Sequence, residues 1–325
     1  MPNNTENLPL NAEHRTLNTE HSPKVIFGPI SSRRFGKSLG IDLSPSKKQC
    51  NFDCLYCELD AAKTMAGQDE VLPVSQIVNA VKEGLSEHQD IDVLTITANG
   101  EPTLYPYLNE LIDEINKIKG TTKTLILSNA STIDDPDVQE ALLKLDEVKL
   151  SLDCATQKCL KKLDRSHSGI DVEKIKSGML LFKERYKGPL VIEILMVKGL
   201  NDSKEETAQL NDYLLKLQPA RIDIGTIDRP PAFDVKPLSY GELLSLSRQF
   251  DASLPVYIAS RKKAEAAPSH YGSGEILQTL SKRPLTQEDV EVLLDDASRK
   301  RFETLKNKGK IIPVDSNGVI FYKKA

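Results

Sequence analysis

From Val25 onward, hydrophobic positions fall into short β-branched runs separated by stretches of helical spacing. The runs are residues 38–42 (SLGID), 92–98 (DVLTITA), 123–129 (KTLILSN), 147–153 (EVKLSLD), 190–197 (LVIEILMV) and 221–227 (RIDIGTI). Between them, Val74, Ile77, Val78, Val81 and Leu85 recur at the spacing of one helix face, as do Leu108, Leu111, Ile112, Ile115 and Ile118. This alternation predicts an α/β fold with a parallel sheet covered by helices. Six units predict a partial (βα)6 barrel rather than a closed eight-stranded one, with reactive groups at the C-terminal ends of the strands.

The flanks read differently. Residues 1–24 are polar and nearly repeat themselves (LNAEHRT, then LNTEHSP), which predicts a disordered tail with His14 and His21 solvated rather than bound to metal. The barrel is expected over 25–260, followed by a linker at 261–274 rich in Lys, Ala, Ser and Gly. Helical segments at 275–282, 287–294 and 298–308 then lead into IIPVDSNGVIFYK, whose Asn317-Gly318 pair signals a hairpin. Three helices and a hairpin predict a winged-helix domain over 275–325. Its third helix and the approach to the hairpin carry Arg299, Lys300, Arg301, Lys306, Lys308 and Lys310 against Glu303.

Charge gives that basic stretch its interest. The formal net charge of −4 provides no global attraction to nucleic acid or anionic lipid, so such a partner must meet a local patch. The 39% hydrophobic and 28% charged content fits an ordinary globular protein. No run approaches the roughly 18 apolar residues that span a bilayer, and the first residues lack a signal peptide's basic start and apolar stretch, so a cytoplasmic location without membrane partners is expected.

Of five cysteines, Cys50, Cys54 and Cys57 fall within CNFDCLYC, just beyond the first strand. In a reducing compartment this reads as metal ligation. Three thiolates can hold three corners of a four-iron cluster and leave one iron open. Zinc is the alternative, but a structural zinc site closes with four ligands and no histidine lies near the loop. Cys154 and Cys159 cannot complete a second four-iron cluster and read as small buried apolar residues rather than catalytic or redox groups.

CNFDCLYC resembles the defining motif of the radical S-adenosylmethionine (radical SAM) superfamily, with Tyr56 as the aromatic before the last cysteine. Together with FGPISSRRFGKSLGID, NGEPTL, LSLD, VKGLND and IDRPPA, in that order over roughly residues 25–240, it is similar to Fe–S oxidoreductases related to the tRNA wyosine-base synthases. The resemblance implies that Cys50, Cys54 and Cys57 ligate a catalytic [4Fe–4S] cluster, and that S-adenosylmethionine chelates the open iron and is reductively cleaved to a 5'-deoxyadenosyl radical. An electron donor such as flavodoxin or ferredoxin would supply the electron. It also implies cofactor contacts from Tyr56, from Gly100, Glu101 and Pro102 (Asn99 replacing the motif's first glycine), and from Ser128, Asn129, Ser151 and Asp153 at strand ends.

The archaeal wyosine synthases carry further cysteines before this loop, and this chain has none before Cys50. That departure argues against formation of the wyosine tricycle. The expected substrate is RNA, in particular tRNA, docked by Arg299, Lys300, Arg301 and Lys306. The alternatives are a peptide or protein substrate, and a non-enzymatic Fe–S redox regulator that binds DNA. Arg33 and Arg34 could clamp a phosphate or carboxylate, or stand solvated; Asp228 and Arg229 end the sixth strand on the expected substrate side.

Overall fold

A computed structural model of the chain describes residues 24–32, 35–258, 268, 270–282, 284–316 and 319–325. The polar tail with His14 and His21, Arg33 and Arg34, most of the expected linker and the Asn317-Gly318 turn lie outside the described residues.

Eight strands form one sheet in sequence order: β1 (Ile26–Ser32), β2 (Gly36–Asp42), β3 (Val93–Thr97), β4 (Lys123–Ser128), β5 (Glu147–Ser151), β6 (Leu190–Met196), β7 (Arg221–Thr226) and β8 (Val256–Ile258). The six strands read from the sequence are β2 to β7, all parallel. Two strands are additions. β1 runs antiparallel to β2, with a register shift between Phe27 and Ile30 where Gly28 and Pro29 interrupt the run. An internal proline hides a strand from pattern reading and suits an edge. β8 is only three residues long and extends the parallel order beyond β7. β1 and β8 do not pair, so the barrel is open.

Strand alternation divides the sheet into two faces. One face presents Ile41, Ile96, Ile126, Leu150, Ile192 and Ile224, all fully buried. They pack under α1 (Val74–Glu87), α2 (Leu108–Ile118), α3 (Pro136–Leu142), α4 (Gln157–Leu163), α5 (Val172–Arg185), α6 (Lys204–Leu217) and α7 (Tyr240–Ser247). Each side chain of this size gains about 1.5–3 kcal/mol on full burial, which anchors the helices on the outside. The other face looks into the lumen and mixes polar residues such as Thr95, Lys149, Glu193 and Asp223 with Val93, Leu125 and Val191. Its floor is crossed by Arg221, whose guanidinium lies 5.3 Å from the centre of the Phe35 ring and 3.9 Å from Glu147.

A second core forms around Tyr271, Ile276, Leu280, Phe302, Ile311 and Tyr322. It is built from α8 (Ser273–Lys282), β9 (Leu285–Thr286), α9 (Gln287–Leu293), α10 (Asp296–Asn307), β10 (Ile311–Ser316) and β11 (Val319–Lys324), with β11 between β10 and β9. Thr286 and Asp289 close a capping box at the start of α9. This unit docks on β1: the Tyr271 hydroxyl donates to Pro29 O at 2.6 Å, and Gln278 Nε2 donates to Lys24 O and Ile26 O at 3.0 Å each.

Cys154 and Cys159 are buried as expected, but they are not independent apolar residues, because a disulfide joins them. The Thr156 side chain caps α4 by accepting from Cys159 N, which folds the helix start back over Cys154. No helix among the described residues is long and apolar enough to cross a membrane.

Candidate active site

The loop after β2 carries the three cysteines and is fixed chiefly by its own backbone. Asp42 Oδ1 accepts from Ser44 N and Asn99 N, tying the exits of β2 and β3. Gln49 N then donates to Asn99 O, Glu101 N donates to Gln49 O, and Gln49 bridges to Gly100. Gly100 has φ +134°, and a Cβ there would sit 1.9 Å from Gln49 O, so only glycine admits this approach. Gln49 is fully buried and braces residues 69 and 70 through both ends of its amide. Further along, Asp53 N and Leu55 N donate to Asp164 O and Leu163 O at the end of α4.

Cys50, Cys54 and Cys57 are free and half-buried. Burial pushes the Cys50 thiol up to about 12, with the Glu101 carboxylate adding to it. Cys54 and Cys57 are likewise raised by burial, and Lys48 pulls Cys57 back. Such thiols keep their protons until a metal displaces them.

The three loop thiols suit an iron–sulfur cluster, because they leave one iron open where a structural zinc would close with a fourth protein ligand. Zinc draws its thiolates to within about 4 Å of one another. Among the described residues the triad of ligand atoms within 4.8 Å is Cys154, Cys159 and Glu206, not the loop cysteines. In the compact triad the cysteines are bonded to each other, and Glu206 accepts from Ala155 N, Thr156 N and Thr156 Oγ1, so that carboxylate serves the fold.

Four of the expected cofactor contacts converge. Tyr56, Asn129, Ser151 and Asp153 line one cavity, bounded also by Cys154 and Asp164. Asn129 Nδ2 donates to Asn51 Oδ1 at 3.0 Å and lies 3.6 Å from Cys50 Sγ. The Tyr56 hydroxyl donates to Asp153 Oδ2, while Asp153 Oδ1 accepts from Leu195 N at 2.7 Å. Burial raises the Asp153 carboxyl to about 7, and burial together with Asp153 raises Asp164.

The remaining expected contacts act as a brace behind this cavity. Glu101 Oε1 accepts from Thr103 N, Thr103 Oγ1 and Ser128 Oγ, and Oε2 accepts from Asn129 N at 2.6 Å. A carboxylate offers about four acceptor positions, so here they are filled by protein donors. Pro102 opens the 3-10 turn that Glu101 caps.

Sequence reasoning missed Gln49, Asn201 and the Glu58–Arg229 pair. Asn201 Nδ2 donates to Asp153 O and Leu195 O, holding the β5 exit. Arg229 Nη1 grips both oxygens of Glu58 at 2.7 and 2.6 Å, and Ala232 N donates to Cys57 O, so the segment after β7 straps the cysteine loop. The DRPPA motif was legible as a signal, its partner Glu58 was not.

The family model described as the radical SAM superfamily matches residues 46–210. The chain is 45% identical over 300 residues to the "UPF0026 protein" of Helicobacter pylori, covering 92% of this chain and 97% of that one. It is 24% identical over 258 residues to an S-adenosylmethionine-dependent nucleotide dehydratase of Flammeovirga pacifica, covering 77% of this chain and 78% of that one. Among solved structures, a radical SAM methyltransferase from Sphaerobacter thermophilus matches with TM-score 0.53 at 14% identity, over 71% of this chain and 68% of that one, a likeness of fold. Three free thiols in the loop after β2 agree with these matches, and the chain belongs to the radical SAM superfamily of enzymes, with a [4Fe–4S] cluster and S-adenosylmethionine as cofactors.

Proposed function

We propose that this enzyme reductively cleaves S-adenosylmethionine at a [4Fe–4S] cluster on Cys50, Cys54 and Cys57, and directs the resulting 5'-deoxyadenosyl radical at RNA, in particular tRNA. The convergence of Tyr56, Asn129, Ser151 and Asp153 on one cavity beside the cysteine loop carries the first half of this reading. The cluster and S-adenosylmethionine supply the radical chemistry when bound. The chain's own residues would supply the cluster's three thiol ligands from one loop and place an aromatic ring and polar groups beside them.

The RNA half rests on the C-terminal unit, read as a winged helix, but with a different basic surface from the one the sequence suggests. Arg299 is turned inward, donating to Leu294 O, Glu291 O and Asp296 Oδ1. Arg301 donates to Tyr271 O and contacts His270 Nε2. Lys306 lies over the Tyr322 ring beside Glu303. Lys300, Lys308, Lys310 and Lys324 are exposed, and Ile311 pairs with Lys324, which brings the last three to one end of the unit. Phosphate contacts by such lysines give affinity without sequence readout. The nucleotide-directed chemistry in the name of the Flammeovirga relative agrees in class.

The test is anaerobic reconstitution with iron and sulfide, followed by dithionite, S-adenosylmethionine and bulk tRNA. Wild type is expected to form 5'-deoxyadenosine and Cys54→Ala none; a correctly loaded four-iron wild type that forms none with or without tRNA refutes the radical half. With about four phosphate contacts, tRNA affinity should fall roughly 100-fold between 50 and 200 mM salt. It should also fall in a Lys300→Glu, Lys308→Glu, Lys310→Glu triple variant; tRNA affinity indifferent to both changes refutes the RNA half.

A further inference from the structure

The wall of the cavity beside the cysteine loop contains a redox bond that the proposed chemistry leaves unused. Cys154 follows Asp153 directly at the exit of β5 and lines that cavity together with Tyr56, Asn129 and Ser151. The disulfide joins it to Cys159 in the first turn of α4. The two residues are buried, at 0% and 7% exposure, so the cavity is the side from which a reagent reaches the bond.

Two features set this bond apart from a structural staple. The cysteines are five positions apart, and a bond across so short a separation constrains the unfolded chain least. The turn it closes is also held without it. Glu206 on α6 accepts from Ala155 N, Thr156 N and Thr156 Oγ1, and Thr156 Oγ1 accepts from Cys159 N at 3.2 Å. With the bond open, the same contacts keep the two thiols as neighbours, ready to close again. The cysteine loop needs a reducing environment to keep Cys50, Cys54 and Cys57 free for iron, and in such an environment a disulfide is usually transient, catalytic or redox-sensing.

Helix α4 links the bond to the rest of the site. Leu160 and the C-cap residue Asp164 line the same cavity, and Leu163 O and Asp164 O accept from Leu55 N at 2.9 Å and Asp53 N at 3.0 Å. Just beyond, His167 N donates to Asn51 O at 2.9 Å. Opening the bond turns a covalent contact between sulfurs into a van der Waals one, so the start of α4 has to move away from the β5 exit. A close-packed interior passes such a shift on rather than absorbing it. Here it reaches the cavity wall through Leu160 and Asp164, and the cysteine loop through the backbone bonds at the end of α4.

We propose that Cys154 and Cys159 form a reversible thiol–disulfide exchange site whose co-substrate is a dithiol, and whose state sets the grip of the cavity on S-adenosylmethionine. A thiolate of the dithiol bonds to Cys154 Sγ as the bond to Cys159 breaks, and Cys159 leaves as a thiolate that takes up a proton. The dithiol's second thiol then attacks its own sulfur in the mixed disulfide, releases the Cys154 thiol and closes the dithiol's disulfide. Two electrons and two protons pass from the dithiol to the protein pair. The closed pair holds α4 in the arrangement described; the open pair loosens it and weakens the cavity. By linkage, a ligand that prefers the closed form favours closure to the same degree. The inference rests on the cofactor reading of the cavity and adds to it a co-substrate that the reading does not itself require.

The test uses the full chain, loaded with its cluster under anaerobic conditions and equilibrated with graded mixtures of reduced and oxidised dithiothreitol, or of glutathione for the more oxidising range, with and without saturating S-adenosylmethionine. Acid quenching, alkylation and mass spectrometry then count thiols: three of the five cysteines with the pair closed, all five with it open. Wild type should step from three to five, and S-adenosylmethionine should move the midpoint about fivefold or more toward the reducing end. Cys159→Ser, permanently open, should bind S-adenosylmethionine in equilibrium dialysis about fivefold or more weaker than closed wild type, with one affinity in every mixture. A constant count of three or of five, a midpoint indifferent to S-adenosylmethionine, or a Cys159→Ser variant that binds as tightly as closed wild type overturns the inference. Should Cys159→Ser fail to take up iron, the wild-type titration decides alone. A closed, cluster-loaded wild type that binds no S-adenosylmethionine refutes the cofactor reading of the cavity and the coupling with it, and the step from three to five thiols, read without the cofactor, still decides the exchange site.

Discussion

Gly100 shows how much of the site hangs on single atoms. Its positive φ and its contact with Gln49 O leave no space for a methyl group, so Gly100→Ala must separate the β3 exit from the cysteine loop. We expect this variant to lose about 1–3 kcal/mol of stability and to take up substantially less iron on reconstitution, measured by urea melts and metal analysis. Asp153 makes a prediction about pH. Its carboxyl is raised to about 7 by burial, so the folded chain holds a proton that the unfolded chain releases near 4. Stability of the metal-free chain should therefore fall as pH rises from about 4 to about 7, and then level off. Asp153→Asn should flatten that slope in part, with Asp164, Glu101 and Glu147, which burial raises in the same direction, contributing to the remainder. Urea melts at pH 5 and 7.5 check this; an unchanged slope in Asp153→Asn contradicts it. The cysteine loop and Asp153 were legible because their chemistry is local in sequence. Asp164, Gln49 and Asn201 were not, since each earns its place through a backbone partner on another element.

At the scale of elements, the strap from β7 to the cysteine loop is the most exposed to test. Arg229→Leu removes a bidentate grip and leaves Glu58 without its cation, which typically costs more than the pair itself contributes. Faster loss of the cluster's visible absorbance under a chelator is the expected result, with the fold retained. The C-terminal unit depends on β1 in a comparable way. Tyr271→Phe loses the bond to Pro29 O and should destabilise the junction by about 1 kcal/mol, seen as earlier proteolysis between the units. The strands β2 to β7 could be read from the sequence because a parallel sheet covered by helices writes long apolar runs. β1 escaped because a proline sits inside it, and β8 because three residues make no pattern. The disulfide escaped too: the turn into α4 that brings Cys154 and Cys159 together is a tertiary arrangement braced by Glu206.

For the whole molecule, the two cores and the open sheet divide the labour between chemistry and capture. The barrel sets the proposed cofactor contacts and the charged lumen in adjoining rows, while the C-terminal unit carries the exposed lysines on a core of its own. This division was legible in outline, because the change from strand-and-helix repeats to a short basic unit shows in the pattern. The partnering of Arg299 and Arg301 was not, since their acceptors are mostly backbone carbonyls that the folded chain alone positions. The floor of the barrel has a kinetic meaning. Arg221 and Phe35 meet near the N-terminal ends of the strands and obstruct that end of the lumen, so the ready approach is from the mouth at the other end. A lumen approached from one end fills in order and empties in reverse. On the proposed reading, S-adenosylmethionine beside Tyr56 and Asp153 enters before the substrate covers it, and its fragments wait for the modified product to leave. Product inhibition should betray that queue: 5'-deoxyadenosine competing with S-adenosylmethionine, and the modified product unable to do so.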